Sequence, residues 1–479
     1  MIEFLLNNEY VALDDFPADQ TVLDYLRIHR NRCGTKEGCA SGDCGACTVV
    51  IAEVVDDELR YRSLNSCITF IGSLHGKQLI TVEDLAQGDE LHAVQQALVE
   101  SHASQCGFCT PGFVMSLFAL YKTQSSVDRY AVETALAGNL CRCTGYRPIV
   151  EAGLMACNQI GADQFDRCES IIISKLRAIP THARAASFVI PDSIEQLANT
   201  MIEDPEFRIF CGSTDLALEV TQNLYTLPKL VSVGSVKEMN RVEQDNSEFR
   251  IGAAVRYEDC AGILVSQWPD LAEVFLRLGS LPIRNQGSIG GNVANASPIG
   301  DMPPVLMALN AALELRLGNE QRIVPMDEFF IGYKQTVLRP GEFISTINIP
   351  MSRGSRLFVY KNSKRFDDDI STCLGAFLID FSGEKITRAR IAFGGMAAIT
   401  KRALVLENTL VNSSFNSETL RRARETVPLD FQPIDDVRAS ADYRIAVAKG
   451  FISRLFLELV RPNDIHRITR FEQQSMEMT

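Results

Sequence analysis

The placement of cysteines constrains this chain more than any other feature of its sequence. Of 14 cysteines in 479 residues, nine lie between Cys33 and Cys143, Cys157 and Cys168 follow, and only Cys211, Cys260 and Cys373 come later. A cytoplasmic chain keeps its thiols reduced, so a crowded set points to metal or redox chemistry rather than disulfides. Cytoplasmic residence is itself an expectation: Met1–Asp14 lacks a basic start, carries Glu3 and Glu9, and does not read as a secretory signal. The longest apolar run, Phe113–Tyr121, is too short to span a bilayer. Lys and Arg number 47 against 60 Asp and Glu, a net charge of −13, which disfavours nucleic acid or an anionic membrane as partner.

Cys39, Cys44 and Cys47 follow the spacing C-x4-C-x2-C, with Cys67 further on, which is the plant-type [2Fe–2S] pattern. Gly38, Gly42 and Gly45 supply the backbone freedom such a loop needs, and N–H groups to point at sulfurs. Zinc favours paired C-x2-4-C knuckles, and no histidine sits among these ligands, which also excludes a Rieske centre. Cys33 falls outside the pattern and is expected to be a packing residue, as are Cys211, Cys260 and Cys373. The second set is Cys106 and Cys109 before a helix, with Cys141 and Cys143 after another. Spacing alone leaves both an iron–sulfur cluster and zinc open for it. The six histidines form no ligand pattern.

Periodicity predicts a hairpin at the N-terminus, a helix over Thr21–His29 with Thr21 as cap, and a buried strand over Thr48–Val54. Three helices follow, Leu91–Glu100, Gly112–Lys122 and Val127–Ala137. Ile160–Ser187 has no clear period and is expected to be a linker. Strands then alternate with helices from Phe188. Pro350 and Met351–Ser355 mark a boundary, beyond which strands near Arg356–Lys361, Thr372–Asp380 and Arg388–Phe393 precede helices at Ser417–Glu425 and Asp442–Leu459. No G-x-G-x-x-G occurs, so a Rossmann site is not supported. Two other glycine turns, at Gly212–Asp215 and Gly287–Asn292, can offer N–H groups and hydroxyls to a diphosphate.

GTKEGCASGDCGACTV at Gly34–Val49, QCGFCTPG at Gln105–Gly112 and GNLCRCTGYRPI at Gly138–Ile149 resemble the two [2Fe–2S] domains of the xanthine dehydrogenase/aldehyde oxidase family of molybdenum hydroxylases. IRNQGSIGGNVANASPIGDMPPVL at Ile283–Leu306, FFIGYKQTVLRPGEFI at Phe329–Ile344 and ARIAFGGMA at Ala389–Ala397 resemble its FAD domain. The resemblance implies an α+β multidomain chain. Its parts are a β-grasp plant-type ferredoxin domain (1–75), an all-α [2Fe–2S]-binding helical bundle (76–158), a linker (159–186), an α+β FAD-binding domain of PCMH type (187–351) and a C-terminal α+β domain like that of CO dehydrogenase flavoprotein (352–465).

The ligands it implies are Cys39, Cys44, Cys47 and Cys67 for one cluster and Cys106, Cys109, Cys141 and Cys143 for the other. Gln105 is implied to lie beside a molybdopterin. FAD contacts map onto the first turn (Ile209, Phe210, Cys211, Gly212, Ser213, Thr214, Asp215, Leu216), onto Ser288, Gly291, Asn292 and Asp301, and onto Lys361. Leu278 and Ile344 flank the ring system, and Tyr333 lies near the nicotinamide site. Asn295 departs from the family, which commonly has threonine there. Asp367–Asp369 reads as a solvated acidic turn, in the family a loop close to the flavin.

The implied function is the small, electron-transfer subunit of an NAD-dependent xanthine dehydrogenase. Electrons pass from a molybdopterin on a large partner subunit through two [2Fe–2S] clusters to FAD, then as hydride to NAD+, in a dimer of heterodimers. The reaction is xanthine, NAD+ and water giving urate and NADH, a step of purine catabolism. No catalytic side chain is expected in the relay. Because the chain ends soon after the flavin part, the molybdenum domain is expected on a separate chain, which also sets the substrate. The alternatives are the same subunit of another molybdenum hydroxylase acting on an aldehyde or N-heterocycle, a stand-alone iron–sulfur flavin reductase, and a redox-responsive binding protein.

Overall fold

The computed structural model describes residues 1–158, 161–351, 354–383, 385–464 and 466–467. It divides into two compact units, one of 1–240 with 256–258 and 279–288, the other of 241–255, 259–278 and the chain from 289 onwards.

The first unit begins with a five-stranded sheet in the order Glu9–Leu13, Ile2–Leu6, Gln78–Ile80, Thr48–Val55, Glu58–Asn65. Ile2–Leu6 pairs parallel with Gln78–Ile80 and antiparallel with Glu9–Leu13, where Asn7 takes a φ of +53° in the tight turn. Thr21 caps the helix as its sequence suggests, its Oγ1 accepting from Asp24 N at 3.1 Å. After one turn that helix widens to i→i+5 bonding over Tyr25–His29. Thr48–Val55 explains its own β-branched composition: Val49 and Ile51 enter one core, Val50 and Ala52 the other. Alternate residues of a strand point to opposite faces, so a strand buried on both sides reads as continuously apolar.

The second of those cores is shared with four helices, Ala93–Glu100, Thr110–Thr123, Arg129–Leu136 and Arg147–Cys157. Thr110–Thr123 is buried continuously from Gly112 to Tyr121, the mark of a central helix. The segment expected to be a linker holds a regular helix, Gln164–Arg177, started by a capping box in which Asp163 accepts from Phe165 N and Asp166 N. Its apolar stripe is thin: Phe165 enters the bundle core, while Ile172 and Leu176 pack against Leu5. So few buried residues in a charged segment hide the helical period. Gln159 and Ile160, where the linker was expected to begin, lie outside the described residues. A small sheet of Ala183–Arg184, Phe188–Ile190, Leu230–Ser232 and Arg208–Phe210, in that order, completes the first unit.

The second unit holds a five-stranded antiparallel sheet, Val242–Gln244, Glu248–Gly252, Phe343–Pro350, Ala312–Leu317 and Glu320–Pro325. It also holds a four-stranded antiparallel sheet, Arg356–Asn362, Cys373–Ser382, Lys385–Gly394 and Lys401–Arg402. Leu404–Leu410, Ser417–Asp430 and Ala441–Val460 share a core with that second sheet, built from Phe377, Phe393, Leu406, Val427 and Ile452 among others. Ser352 and Arg353, within the expected boundary, lie outside the described residues.

Candidate iron–sulfur and flavin centres

The loop carrying Cys39, Cys44 and Cys47 has no regular structure and is held from several sides. Gly42 and Gly45 take φ of +84° and +67°, which only glycine adopts freely, and a Cβ on Gly45 would lie 2.4 Å from Gly138 O. Gly38 is required differently: a Cβ there would stand 2.6 Å from the Cys44 sulfur. Buried Asn65 anchors the loop by donating to Gly42 O at 2.8 Å. The amides that reach a sulfur are not those of the glycines. Ser41 N and Asp43 N point at Cys39 Sγ, at 3.4 and 3.3 Å.

The four thiols of this set are linked in a chain of contacts. Cys47 and Cys67 are 3.2 Å apart, and Cys39 touches both Cys44 and Cys67. Contact with Cys44 and then Cys67 pulls Cys39 well below the ordinary thiol range, whereas Cys67 is pushed up by Cys39, Cys47 and burial. The contacts thus favour thiolate, the ligand form, at Cys39 and Cys47, and oppose it at Cys44 and Cys67.

The second quartet sits at the end of the helical bundle. Cys109 caps Thr110–Thr123, and Cys141 and Cys143 follow Arg129–Leu136. Cys106 and Cys143 are 3.6 Å apart, and Cys109 contacts Cys141. A tetrahedral metal with thiolate bonds of about 2.3 Å places its sulfurs about 3.8 Å apart, close to this spacing. Burial and Cys141 push Cys109 up to about 12; burial also acts to raise Cys141, but Thr144 and Cys109 bring it down to about 7. The contacts among these sulfurs run in two pairs, Cys106 with Cys143 and Cys109 with Cys141.

Tyr146, at a φ of +66°, accepts a hydrogen bond from Cys141 N at 2.9 Å through its hydroxyl. Gln105, Cys106, Phe108 and Cys143 are exposed, so this cluster lies at the surface of the unit. The two loops touch. Leu140 N donates to Cys44 O at 3.0 Å, and buried Asn139 donates to Gly45 O at 3.1 Å while accepting from Ser116 Oγ at 2.7 Å. Sequence reading missed Asn139 and Leu140 as connectors. Both lie inside the GNLCRC motif, where the cysteines draw attention away from them.

The first glycine turn follows Arg208–Phe210 in the first unit. A Cβ on Gly212 would lie 2.0 Å from Gln286 O, so glycine is obligatory there. The Ser213 hydroxyl donates to Ile68 O at 2.6 Å and to Gly212 O at 2.8 Å and is therefore already engaged. Cys211 is half-buried rather than core, and burial pushes its thiol up. In the second unit, Lys361 Nζ donates to Asp301 Oδ2 at 2.6 Å and to Arg277 O at 2.9 Å, and Ser371 Oγ to Asp301 Oδ1 at 2.5 Å. Asn292 Oδ1 accepts from Met302 N at 3.4 Å, Leu278 and Ile344 are buried, and Tyr333 is exposed. Asp369 accepts from Arg365 N and Ile370 N, an acidic turn closed on its own backbone.

Of the remaining cysteines, Cys157, Cys260 and Cys373 are buried, while Cys33 is exposed and is not the packing residue expected. It sits in irregular backbone outside the strands and helices, where no neighbouring core takes its side chain.

Two thiol quartets, a glycine turn at Gly212 and a glycine-rich helix start at Gly287–Asn292 are the features of an iron–sulfur flavoprotein. Family models match in series: a 2Fe-2S iron–sulfur cluster binding domain at 13–72, a [2Fe-2S] binding domain at 81–154, the FAD binding domain in molybdopterin dehydrogenase at 183–352, and the CO dehydrogenase flavoprotein C-terminal domain at 358–459. The chain belongs to the molybdenum hydroxylase family. It is 31% identical to xanthine dehydrogenase of Emericella nidulans over 96% of its own length and 38% of that protein's, and 29% identical to xanthine dehydrogenase/oxidase of Rattus norvegicus over 96% and 39%. The chain thus spans well under half the length of these relatives. Among solved structures it resembles carbon monoxide dehydrogenase of Hydrogenophaga pseudoflava (25% identity, TM-score 0.54, 56% of this chain and 94% of that one). The CO dehydrogenase of Oligotropha carboxidovorans is similar at 26% identity and a TM-score of 0.53, over 57% and 96%. Among the described residues no helix is long and apolar enough to cross a membrane.

Proposed function

We propose that this chain is the electron-transfer subunit of a xanthine dehydrogenase, taking electrons from a molybdopterin centre on a partner chain and delivering them to NAD+. The observation that carries the reading is the order of the centres in the first unit. An exposed second quartet, with exposed Gln105 beside it, is joined by the Leu140–Cys44 hydrogen bond to a first quartet that lies next to a glycine turn of the flavin domain. When bound, the clusters supply single-electron steps and the flavin supplies the exchange between single electrons and a hydride. The chain's residues fix loop distances and exclude water around Cys47 and Cys67. Gly212–Leu216, Ser288, Gly291 and Asn292 are assigned to FAD, with Asp301 and Lys361 fixing its surroundings and Tyr333 on the nicotinamide side.

Similarity to xanthine dehydrogenases over 96% of the chain favours xanthine as substrate and NAD+ as acceptor. The likeness to CO dehydrogenases supports a second reading, the same role in another molybdenum hydroxylase. The test is to purify the chain with whatever accompanies it and assay molybdenum, iron, FAD and xanthine-dependent NADH formation. Molybdenum on a large partner together with NADH formation is the expected result. Iron and FAD with neither molybdenum nor a partner overturns the subunit reading.

A further inference from the structure

Within the first unit, four side-chain hydrogen bonds run between the flavin-domain segments and residues at or beside cysteines of the first quartet. Ser213 Oγ donates to Ile68 O at 2.6 Å, and Ile68 directly follows Cys67. Thr69 Oγ1 donates to Gln286 Oε1 at 2.6 Å. Gln222 Nε2 donates to Ala40 O at 2.9 Å and Cys39 O at 3.2 Å. Gln222 is exposed, whereas Ser213 is buried and belongs to the glycine turn itself. Its φ of +56° is uncommon for a residue with a side chain, and it is what turns the hydroxyl onto Ile68 O. A sparsely populated conformation persists only when its surroundings over-determine it, and here the Gly212–Gln286 contact does so.

We propose that Ser213 is the positioning residue for electron exit from the first cluster. Its hydrogen bond fixes the Ile68 carbonyl and, through the Ile68 backbone, the adjacent Cys67 relative to the flavin turn, and so would set both the transfer distance and the potential of the cluster that Cys67 would help to hold. Hydrogen bonding beside a ligand is a known lever on such potentials. Each transfer moves one electron: the cluster is oxidised by one, the flavin reduced by one, and two transfers with two protons from solvent complete flavin reduction. No protein bond forms or breaks.

The inference rests on the relay proposed above, and the experiment separates the two. In the purified complex, the Ser213→Gly variant accommodates the positive φ without steric cost and removes the hydroxymethyl group that makes the hydrogen bond. Its flavin content, the midpoint potential of each cluster by EPR titration, and the stopped-flow oxidation of reduced clusters through the flavin are compared with wild type. We expect the first cluster's potential to shift and the second's to stay, with cluster-to-flavin transfer slowed roughly tenfold, as small misplacements commonly cause. Ser213→Asn, whose amide tolerates positive φ and can donate, should restore both. An unchanged first-cluster potential and rate in Ser213→Gly overturns the assignment. If that variant loses its flavin, the cluster potential still decides, since it is read without flavin. Wild-type complex in which reduced clusters never reduce the flavin would instead bring down the relay itself.

Discussion

The amide of Leu140 and the carbonyl of Cys44 are joined at 3.0 Å, so a single hydrogen bond links the neighbour of Cys141 in the second thiol quartet to a cysteine of the first. That contact exists because neither loop can move away. Gly112, in the helix that Cys109 caps, approaches so closely that a Cβ there would lie 2.1 Å from Gly45 O. Asn139 then fills the gap between the loops with two buried hydrogen bonds.

Asn139→Ala should therefore destabilise the two loops together. It takes the acceptor from the Ser116 hydroxyl in a site 3% exposed, which costs roughly 1–3 kcal/mol, and removes the tie to Gly45 O, which keeps Thr48 N and Thr48 Oγ1 as donors. Denaturant unfolding of the first unit's signal measures this, and EPR of the reduced protein should show weaker interaction between the two clusters. Wild-type stability in the variant would count against the bridging role.

Lys361→Met tests the flavin region of the second unit. Lys361 is almost fully buried against Asp301, and removing one partner of such a pair costs about 3–5 kcal/mol because the other charge stays buried alone. The expected outcome is loss of FAD from the purified protein with retention of both cluster signals. Full flavin occupancy with unchanged thermal stability would remove Lys361 from the site.

The two cysteine groups were legible in the sequence because thiolate coordination imposes fixed spacing, and the thiols so spaced do meet in the fold. Strands such as Thr48–Val55 were legible because both faces are buried and every position records it. The helix Gln164–Arg177 was not, since its buried side is limited to Phe165, Ile172 and Leu176 and its start depends on a two-aspartate capping box. Connectors were least legible. Leu140 acts through its backbone, which side-chain identity does not encode, and Ser213 acts on a carbonyl far away in sequence.

Acid should act on the first unit through Glu53. Burial works to raise its carboxyl, but Arg256, with Lys77 and Arg62 behind it, holds it well below the ordinary value of 4.5. A folded pKa below the unfolded one means the stabilisation is complete above pH 4.5 and is lost as pH falls towards the folded value. Glu53→Gln should then be less stable than wild type at neutral pH, with the difference shrinking below about pH 4.5. Apparent Tm measured against pH reads both arms; a difference that stays constant into strong acid would show that Glu53 contributes no such charge.

Cys109→Ser addresses the pairing of sulfurs in the second quartet. Cys109 contacts Cys141, while Cys106 and Cys143 form the other close pair at 3.6 Å. Serine is close to the thiol in shape but a poor ligand for iron, so one pair is broken and the other left intact. Because each iron of a binuclear cluster needs its own pair of thiolates, the whole second cluster should be lost rather than half of it. EPR of the reduced protein should then show one [2Fe–2S] signal in place of two, with iron content falling by about half and flavin content unchanged. The surviving signal belongs to the quartet of Cys39, Cys44, Cys47 and Cys67, and reduction through a partner's molybdenum centre should stop while direct reduction from the flavin side continues. Two signals at full intensity would mean that Cys109 is not a required ligand, and that the thiol contacts seen here do not mark the cluster's coordination.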